Sequence, residues 1–317
     1  MMTRPVLLII GAGVRFGRGH FVRMRELHDR LQAAGLSADW MSVADFDDET
    51  ARRVAGSRRK YNRDPVLYII DARDLNPGPF AHPDASVLAL DNRHPSREDS
   101  SLTKLRANRA ENHVEFYDTI PHPRAKLAQT LPRVLLRNDV PGSGARIRRR
   151  ERSLFVYSGD FVVPGLDESL LDLVRAGWSV HRCGRAPPRL DRVRIGGAGA
   201  PGFAWNPELD RDEFLRTLAA AECVWTYFGM TLLEAWHLGR SPALLPVASD
   251  VHTELADYLA WEAGLPIISP DGQAVAAFEQ RRQDPDSKAA QPTANMRPGD
   301  QGFALLIEKI RTLATTP

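Results

Sequence analysis

The sequence predicts an α/β fold of two domains, because short apolar runs alternate with helical patterns and the alternation restarts halfway along the chain. The first run, 6–10, is rich in branched residues and ends at Gly11, as buried parallel strands do. Four apolar residues then recur at helical spacing: Phe21, Met24, Leu27 and Leu31. A strand, a glycine loop and a helix therefore open the chain.

The later elements continue this alternation in both halves. Strands are predicted at 38–43, 66–70, 87–90, 154–157, 179–182, 223–226 and 242–245. Helices are predicted at 48–57, 170–176, 212–221 and 303–313. Between the halves, a glycine-rich stretch at 141–145 and a basic run to Arg152 are typical of a linker. We therefore predict an N-terminal domain at 1–145 and a C-terminal domain at 146–317.

Composition narrows the class of protein. The chain of 317 residues is long enough for two domains, and its 43% hydrophobic and 26% charged residues are typical of a soluble globular protein. A net charge of +2 argues against a dedicated nucleic-acid partner. Cys183 and Cys223 lie far apart without metal-ligand spacing, which favours a reducing cytoplasm and no bound metal. We also expect no transmembrane segment, since no apolar run is long enough.

The loop at 11–20 combines glycines with a histidine at a helix start. Glycines at 11, 13, 17 and 19 allow the backbone to approach a ligand closely, and free N–H groups at a helix start attract anions. The strict dinucleotide fingerprint is absent, because Phe16 stands where its third small residue belongs. His20 is either a base that titrates near neutral pH or a residue that packs at the helix start.

Two aspartates come at the ends of predicted strands. Asp71 follows the run 66–70, and Asp91 follows the run 87–90. Open parallel sheets bind their ligands at this edge, so both residues are candidates for a ligand site. The alternative is that they act only as turn or helix-capping residues.

A second constellation begins at Tyr227 and continues to Gly239. Gly229 and Thr231 predict a turn whose N–H groups and hydroxyl face a phosphate at the start of a helix. Glu234 comes three residues after Thr231, as in a capping box. Its carboxylate either caps this helix or accepts hydrogen bonds from two ribose hydroxyls, and the local pattern favours neither.

Both constellations resemble one family in the right order. Gly17-Arg-Gly-His-Phe-Val-Arg23 is similar to the glycine-x-glycine-histidine-valine-methionine-arginine signature of the UDP-sugar hydrolases of pseudaminic acid biosynthesis. The stretch 229–239 resembles their nucleotide motif, which the MurG-type glycosyltransferases share more loosely. Shorter pieces also resemble that family: Ile70-Asp71, Leu90-Asp-Asn92, Leu135-Leu-Arg137, Ser158-Gly-Asp160 and Asp300-Gln-Gly302. The resemblance implies a GT-B fold, two Rossmann-like domains facing a cleft, with UDP held mainly by the C-terminal domain.

The resemblance also implies roles for individual residues. His20 would be the catalytic base that activates water, and UDP would leave without a metal or cofactor, helped by Arg23 and Arg137. The implied nucleotide contacts are Gly17, Gly19, Arg23, Ser158, Gly159, Gly229, Met230, Thr231 and Glu234. The implied substrate contacts are Arg15, Asp71, Asp91, Asn92, Arg137, Asp250 and His252.

Departures from the family pattern keep three functions open. Tyr227 and Phe228 replace small residues, and Asp250-Val-His252 replaces an asparagine-glutamine pair, so His252 is either a sugar or phosphate contact or a surface-turn residue. The chain is therefore a UDP-sugar hydrolase, a glycosyltransferase that uses a nucleotide-sugar donor, or a nucleotide-binding relative without activity. The sequence leaves the oligomeric state open.

Overall fold

The chain divides into two compact units. A computed structural model describes residues 5–12, 19–44, 47–56, 65–81, 85–92, 114–118, 129–130, 140, 150–184, 202–248, 250–268 and 301–315. The first unit comprises Met1–Arg137 with Gly299–Pro317, and the second unit comprises Asn138–Pro298. Each unit contains one parallel sheet among the residues described.

The first unit is built on a six-stranded sheet with the order β2-β1-β3-β4-β5-β6. Its strands are β1 Val6–Gly11, β2 Ala38–Val43, β3 Leu67–Asp71, β4 Ser86–Leu90, β5 Val114–Asp118 and β6 Gln129–Thr130. Helix α1, Gly19–Ala33, follows β1, and helix α2, Asp48–Gly56, follows β2. The chain runs to one side of β1 and then returns to the other, so the strand order reverses between β1 and β3. Ligands bind at such a reversal, beyond the carboxyl ends of the strands.

Strand β1 is buried on both faces, which explains its continuous apolar run. Val6, Leu8 and Ile10 pack with the apolar side of α1, whereas Leu7 and Ile9 pack with α2 on the other face. This alternation is what a central strand of a parallel sheet requires. The core therefore holds the start of α1 close to the carboxyl edge of the sheet.

The second unit is built on a five-stranded sheet with the order β11-β10-β7-β8-β9. Its strands are β7 Ser153–Gly159, β8 Ser179–Gly184, β9 Phe203–Asn206, β10 Cys223–Thr226 and β11 Ser241–Leu244. Its helices are α3 Leu166–Arg175, α4 Arg211–Ala220, α5 Met230–His237 and α6 Asp250–Ala263. Here the order reverses between β7 and β10. The predicted α/β class with two Rossmann-like domains is confirmed.

Most predicted elements agree with the structure to within two residues. The strands at 38–43 and 223–226 have the predicted bounds, and the first strand extends by one residue to Gly11. Strands β5, β6 and β9 and helix α6 were not predicted. Strand β9 has four residues and only Phe203 of them is buried, so its apolar pattern is weak.

The final helix, α7 Gln301–Thr315, belongs to the first unit. Phe303, Leu306 and Ile310 are buried in the same core as β1, and Lys309 Nζ lies 2.9 Å from Glu115 Oε1 on β5. The guanidinium of Arg30 on α1 lies 4.2 Å from the centre of the Phe303 ring. The prediction that residues 146–317 form one domain therefore differs from the structure, because this apolar helix face completes the first core.

Both cysteines lie in the core of the second unit. Cys183 and Cys223 are buried and form no disulfide, and burial raises the pKa of Cys183 to about 11. Such a thiol stays protonated and unreactive at neutral pH. Within the described ranges, no helix has the length and apolar character needed to cross a bilayer, and no group of His, Cys, Asp and Glu side chains is arranged to hold a metal.

We expect Phe303→Ala to lower the free energy of unfolding by about 3 kcal/mol, because it removes a fully buried ring and leaves a cavity. Urea denaturation measures the change. Leu305→Ala on the same helix is the matched control, since that side chain is 43% exposed and its loss is expected to cost under about 1 kcal/mol. Equal effects of the two substitutions would contradict the packing of α7.

Candidate active site

A histidine and an aspartate meet at the carboxyl edge of the first sheet. Helix α1 begins at Gly19, so His20 lies in its first turn, and Asp71 is the last residue of β3. His20 Nδ1 lies 2.5 Å from Asp71 Oδ1. The imidazole is 15% exposed and the carboxylate is completely buried. The pair therefore sits at the β1/β3 reversal with only the histidine reaching the surface.

Arg23 links this pair to a second carboxylate. It lies one helical turn after His20, and its Nε and Nη2 donate to Asp71 at 2.8 Å and 2.6 Å. Its Nη1 donates to Asp91 Oδ2 at 2.7 Å. One guanidinium therefore holds both strand-end carboxylates, and its fork geometry suits the two oxygens of Asp71.

Asp91 combines an unusual backbone with a partly exposed side chain. Its φ of 44° lies in the left-handed region, which aspartate tolerates better than most residues. Its N–H donates to the carbonyl of Tyr117 on β5, and its side chain is 21% exposed. Backbone conformations of this kind concentrate at functional sites. Asp91 is the acidic member of the cluster with the most exposed side chain.

The charges in the cluster fix the protonation of Asp71. Burial alone would raise the pKa of this carboxyl, but the positive charge of Arg23, with a contribution from His20, holds it well below its usual range. Burial likewise opposes the charge of Arg23, yet Asp71 and Asp91 raise the pKa of the guanidinium above its ordinary value. Both groups are therefore ionised at neutral pH.

An ionised Asp71 determines which nitrogen of His20 carries a proton. A carboxylate only accepts hydrogen bonds, so the proton of the short contact lies on Nδ1. The neutral ring then has its lone pair on Nε2, the nitrogen not bonded to Asp71. A histidine oriented in this way by a buried carboxylate is suited to act as a general base.

Three residues predicted to touch a ligand are buried instead. Asp71 is held completely by His20 and Arg23, so its position fits an orienting role and not a substrate contact. Asn92 is 1% exposed and donates to the carbonyls of Ala72 and Leu75, so it fixes the turn after β3. Arg23 is 6% exposed and lies between two carboxylates. Their negative charges offset the positive charge through which Arg23 was predicted to bind a diphosphate.

The second unit brings a glycine turn and a helix start together at its own strand reversal. Ser158 and Gly159 end β7, and α5 begins after Gly229. Gly159 has a φ of 57°, and a Cβ on it would lie 2.9 Å from the Tyr227 hydroxyl. A Cβ on Gly229 would lie 3.5 Å from the same ring. Position 159 needs glycine because of its left-handed backbone and because a Cβ would lie too close to Tyr227. The side chain of Tyr227 lies near both turns.

Helix α5 does not begin with a capping box. Its N-cap residue is Gly229, without a side-chain cap, and Thr231 is the second helical residue and is buried. Glu234 lies in the second turn, where Arg211 Nη2 donates to its Oε1 at 2.7 Å. The capping alternative for Glu234 is therefore wrong. The helix start leaves its backbone N–H groups without a capping side chain, as at anion sites.

His252 belongs to an aromatic cluster. It is 7% exposed on α6, and its ring lies 5.3 Å from those of Phe161 and Tyr227. Tyr227 also stacks on Tyr157 at 5.9 Å. The surface-turn alternative for His252 is wrong, because the missed helix α6 carries it inward.

Other predicted residues have less structural detail. Gly19 is the first residue of α1, Met230 is the first of α5, and Asp250 is the first of α6. Arg15, Gly17 and Arg137 lie outside the described residues, so their roles stay predictions.

Comparisons with known proteins address the fold. No protein-family model and no curated protein matches the chain. Among solved structures, MurG of Acinetobacter baumannii superposes with a TM-score of 0.61 at 12% identity, over 98% of this chain and 99% of that one. The chain has the GT-B fold. Two further GT-B structures support this: the UDP-GlcNAc 2-epimerase of Neisseria meningitidis bound to UDP-GlcNAc (TM-score 0.61, 11% identity, 97% and 100% covered), and UGT2 of Phytolacca americana with UDP-2-fluoro-glucose and pterostilbene (0.55, 11%, 98% and 100%).

Arg211 is the residue of interest in this GT-B chain that the sequence did not single out. It is the first residue of α4 and pairs with the buried Glu234. A sequence signal existed, because a basic residue directly after the N-cap Asp210 opposes the helix dipole.

We expect Asp71→Asn to lower the free energy of unfolding by about 3 kcal/mol near neutral pH, because it leaves Arg23 buried without its main partner. The folded pKa of Asp71 lies below that of an unfolded aspartate, about 3.9. Its contribution is therefore present above about pH 4 and is lost as the pH falls below that value. The gap between wild type and variant should close in acid.

Urea denaturation at several pH values measures this gap. Asp39→Asn, at an exposed position on β2, is the matched control and should change stability little. A gap that stays constant down to pH 2 would contradict the assignment of a buried, ionised Asp71.

Proposed function

We propose that this protein is an enzyme that breaks the anomeric C–O bond of a UDP-sugar and transfers the sugar to a hydroxyl acceptor. The observation that carries the proposal is the imidazole of His20, oriented by a fully buried carboxylate at the edge where parallel sheets bind ligands. The structural neighbours named with UDP or UDP-sugars agree with a nucleotide-sugar substrate. One of them was solved together with both UDP-2-fluoro-glucose and a second organic molecule, pterostilbene, and this pairing supports transfer.

The proposed mechanism requires one base. Nε2 of His20 takes the proton of the acceptor hydroxyl as its oxygen bonds to the anomeric carbon, and the bond from that carbon to the UDP oxygen breaks. Asp71 accepts the Nδ1–H throughout and stabilises the imidazolium that forms. Arg23 keeps Asp71 ionised and in place. Asp91 has a partly exposed carboxylate, so it is the residue of the cluster best placed to accept a hydrogen bond from a sugar hydroxyl.

The nucleotide is assigned to the second unit. Backbone N–H groups at the start of α5, including those of Met230 and Thr231, are oriented as donors for a phosphate. Ser158 and Gly159 lie at the neighbouring strand end, where the left-handed glycine permits close approach of a ligand. UDP leaves as a nucleoside diphosphate, and these N–H groups stabilise the negative charge that forms on it. The proposal includes no metal and no cofactor.

Hydrolysis is the second candidate, and the motif Gly17-Arg-Gly-His20 favours it. In that reaction water replaces the acceptor hydroxyl and His20 keeps the same role. A chain that binds the nucleotide without turning it over is the third possibility.

Product analysis separates these functions. The full chain is incubated with UDP-GlcNAc and UDP-glucose, in water alone and with a mixture of hydroxyl acceptors, and the products are followed by mass spectrometry. A glycosyltransferase releases UDP and forms a glycoside only with acceptor, whereas a hydrolase releases UDP and free sugar steadily without one. An epimerised UDP-sugar without net UDP release would overturn the proposal. Calorimetry with UDP identifies a binding protein without activity.

We expect His20→Ala to lower kcat by 10²–10⁴-fold, the typical contribution of a general base, while UDP affinity stays nearly unchanged. Steady-state kinetics and calorimetry measure the two quantities. His28→Ala removes another histidine of α1, whose contacts are with Asp29, Gln32 and Ala38, and should leave kcat unchanged. Loss of UDP affinity in His20→Ala with an unchanged kcat would exclude the assigned role.

A further inference from the structure

Arg211 occupies a position that helix stability does not explain. It is the first residue of α4, directly after the N-cap Asp210, whose side chain accepts a hydrogen bond from the N–H of Glu213. Positive side chains at a helix start oppose the helix dipole, and negative ones such as Asp212 and Glu213 complement it. The guanidinium of Arg211 is therefore present at a cost to the helix.

The ion pair of Arg211 with Glu234 is unequal in burial. The carboxylate is 3% exposed, whereas the guanidinium, 2.7 Å away, is 27% exposed. A carboxylate buried to this extent needs a cation to offset the loss of water. The guanidinium is the member of the pair that reaches the surface, and the buried carboxylate fixes its position.

The surroundings of Arg211 suit an anion. Helices α4 and α5 follow β9 and β10, so both begin at the carboxyl edge of the second sheet. Glu234 lies four residues into α5, about 6 Å along the axis from its first residue. At the end of β7, on the same edge, Ser158 Oγ is fully buried and has no hydrogen-bond partner among the described residues. A phosphate oxygen could satisfy such a hydroxyl.

We propose that Arg211 binds a phosphate group of the nucleoside diphosphate, and that Glu234 positions its guanidinium instead of binding ribose. The planar fork of arginine matches two phosphate oxygens. This inference rests on the proposed binding of the nucleotide by the second unit. It adds Arg211 to the cations predicted from the sequence resemblance, Arg23 and Arg137.

Calorimetry with two ligands tests the inference on the full chain. UDP and 2′,3′-dideoxy-UDP carry the same phosphates, but the second lacks the ribose hydroxyls. We expect Arg211→Met to weaken both ligands by the same factor, about tenfold or more, and Arg211→Lys to recover part of the loss. Glu234→Gln should also weaken both ligands equally, and the double variant should bind no worse than Arg211→Met alone.

Arg216→Met removes an exposed arginine from the same helix and should leave both affinities unchanged; thermal melts verify that each variant is folded. A Glu234→Gln defect seen with UDP but absent with the dideoxy ligand would assign Glu234 to the ribose and overturn the inference. Unchanged UDP affinity in Arg211→Met would also overturn it. Wild-type protein that binds no UDP would overturn the nucleotide assignment of the proposed function as well.

Discussion

The buried ion pair between Arg23 and Asp71 is the interaction on which the candidate active site depends. It joins α1 to the end of β3, the strand that lies beside β1 in the sheet. Without Arg23, burial would favour a neutral Asp71, and the tautomer and orientation of His20 would no longer be fixed. The same guanidinium restrains Asp91. Four side chains therefore share one electrostatic arrangement, and only His20 and Asp91 extend from it toward the surface.

Among the described residues, the His20 cluster of the first unit and the Arg211 cluster of the second differ in the sign of the charge that they present. In the first unit, one arginine is enclosed by two carboxylates, so the edge near His20 offers acceptors and a base. In the second, the guanidinium of Arg211 and the N–H groups at the start of α5 are positively charged or polarised, and the carboxylate of Glu234 is buried. This contrast is consistent with a base acting on a hydroxyl in one unit and with a diphosphate bound by the other.

How much the sequence could predict depends on the range of the contacts involved. Apolar runs and glycine turns are local, so most of the strands, the α/β class and the positions of His20 and Asp71 were predictable. The direction in which Asp71 points was not, because it is decided by Arg23, 48 residues away in the sequence. The local pattern likewise left two roles open for Glu234, capping or ribose binding, since its partner Arg211 is on another helix. Helix α6 was missed although two of its residues at helical spacing, Leu255 and Leu259, are buried.

The return of α7 to the first unit has a consequence for the order of folding. The first core is lined by β1 near one end of the chain and by Phe303, Leu306 and Ile310 near the other, with the whole second unit between them. Ribosomes make a chain from its N-terminus, and domains fold as units when their segments are available. The second unit can therefore fold during synthesis, before α7 is made. The core of the first unit is completed only when α7 packs on it, so its apolar residues stay accessible to chaperones until then.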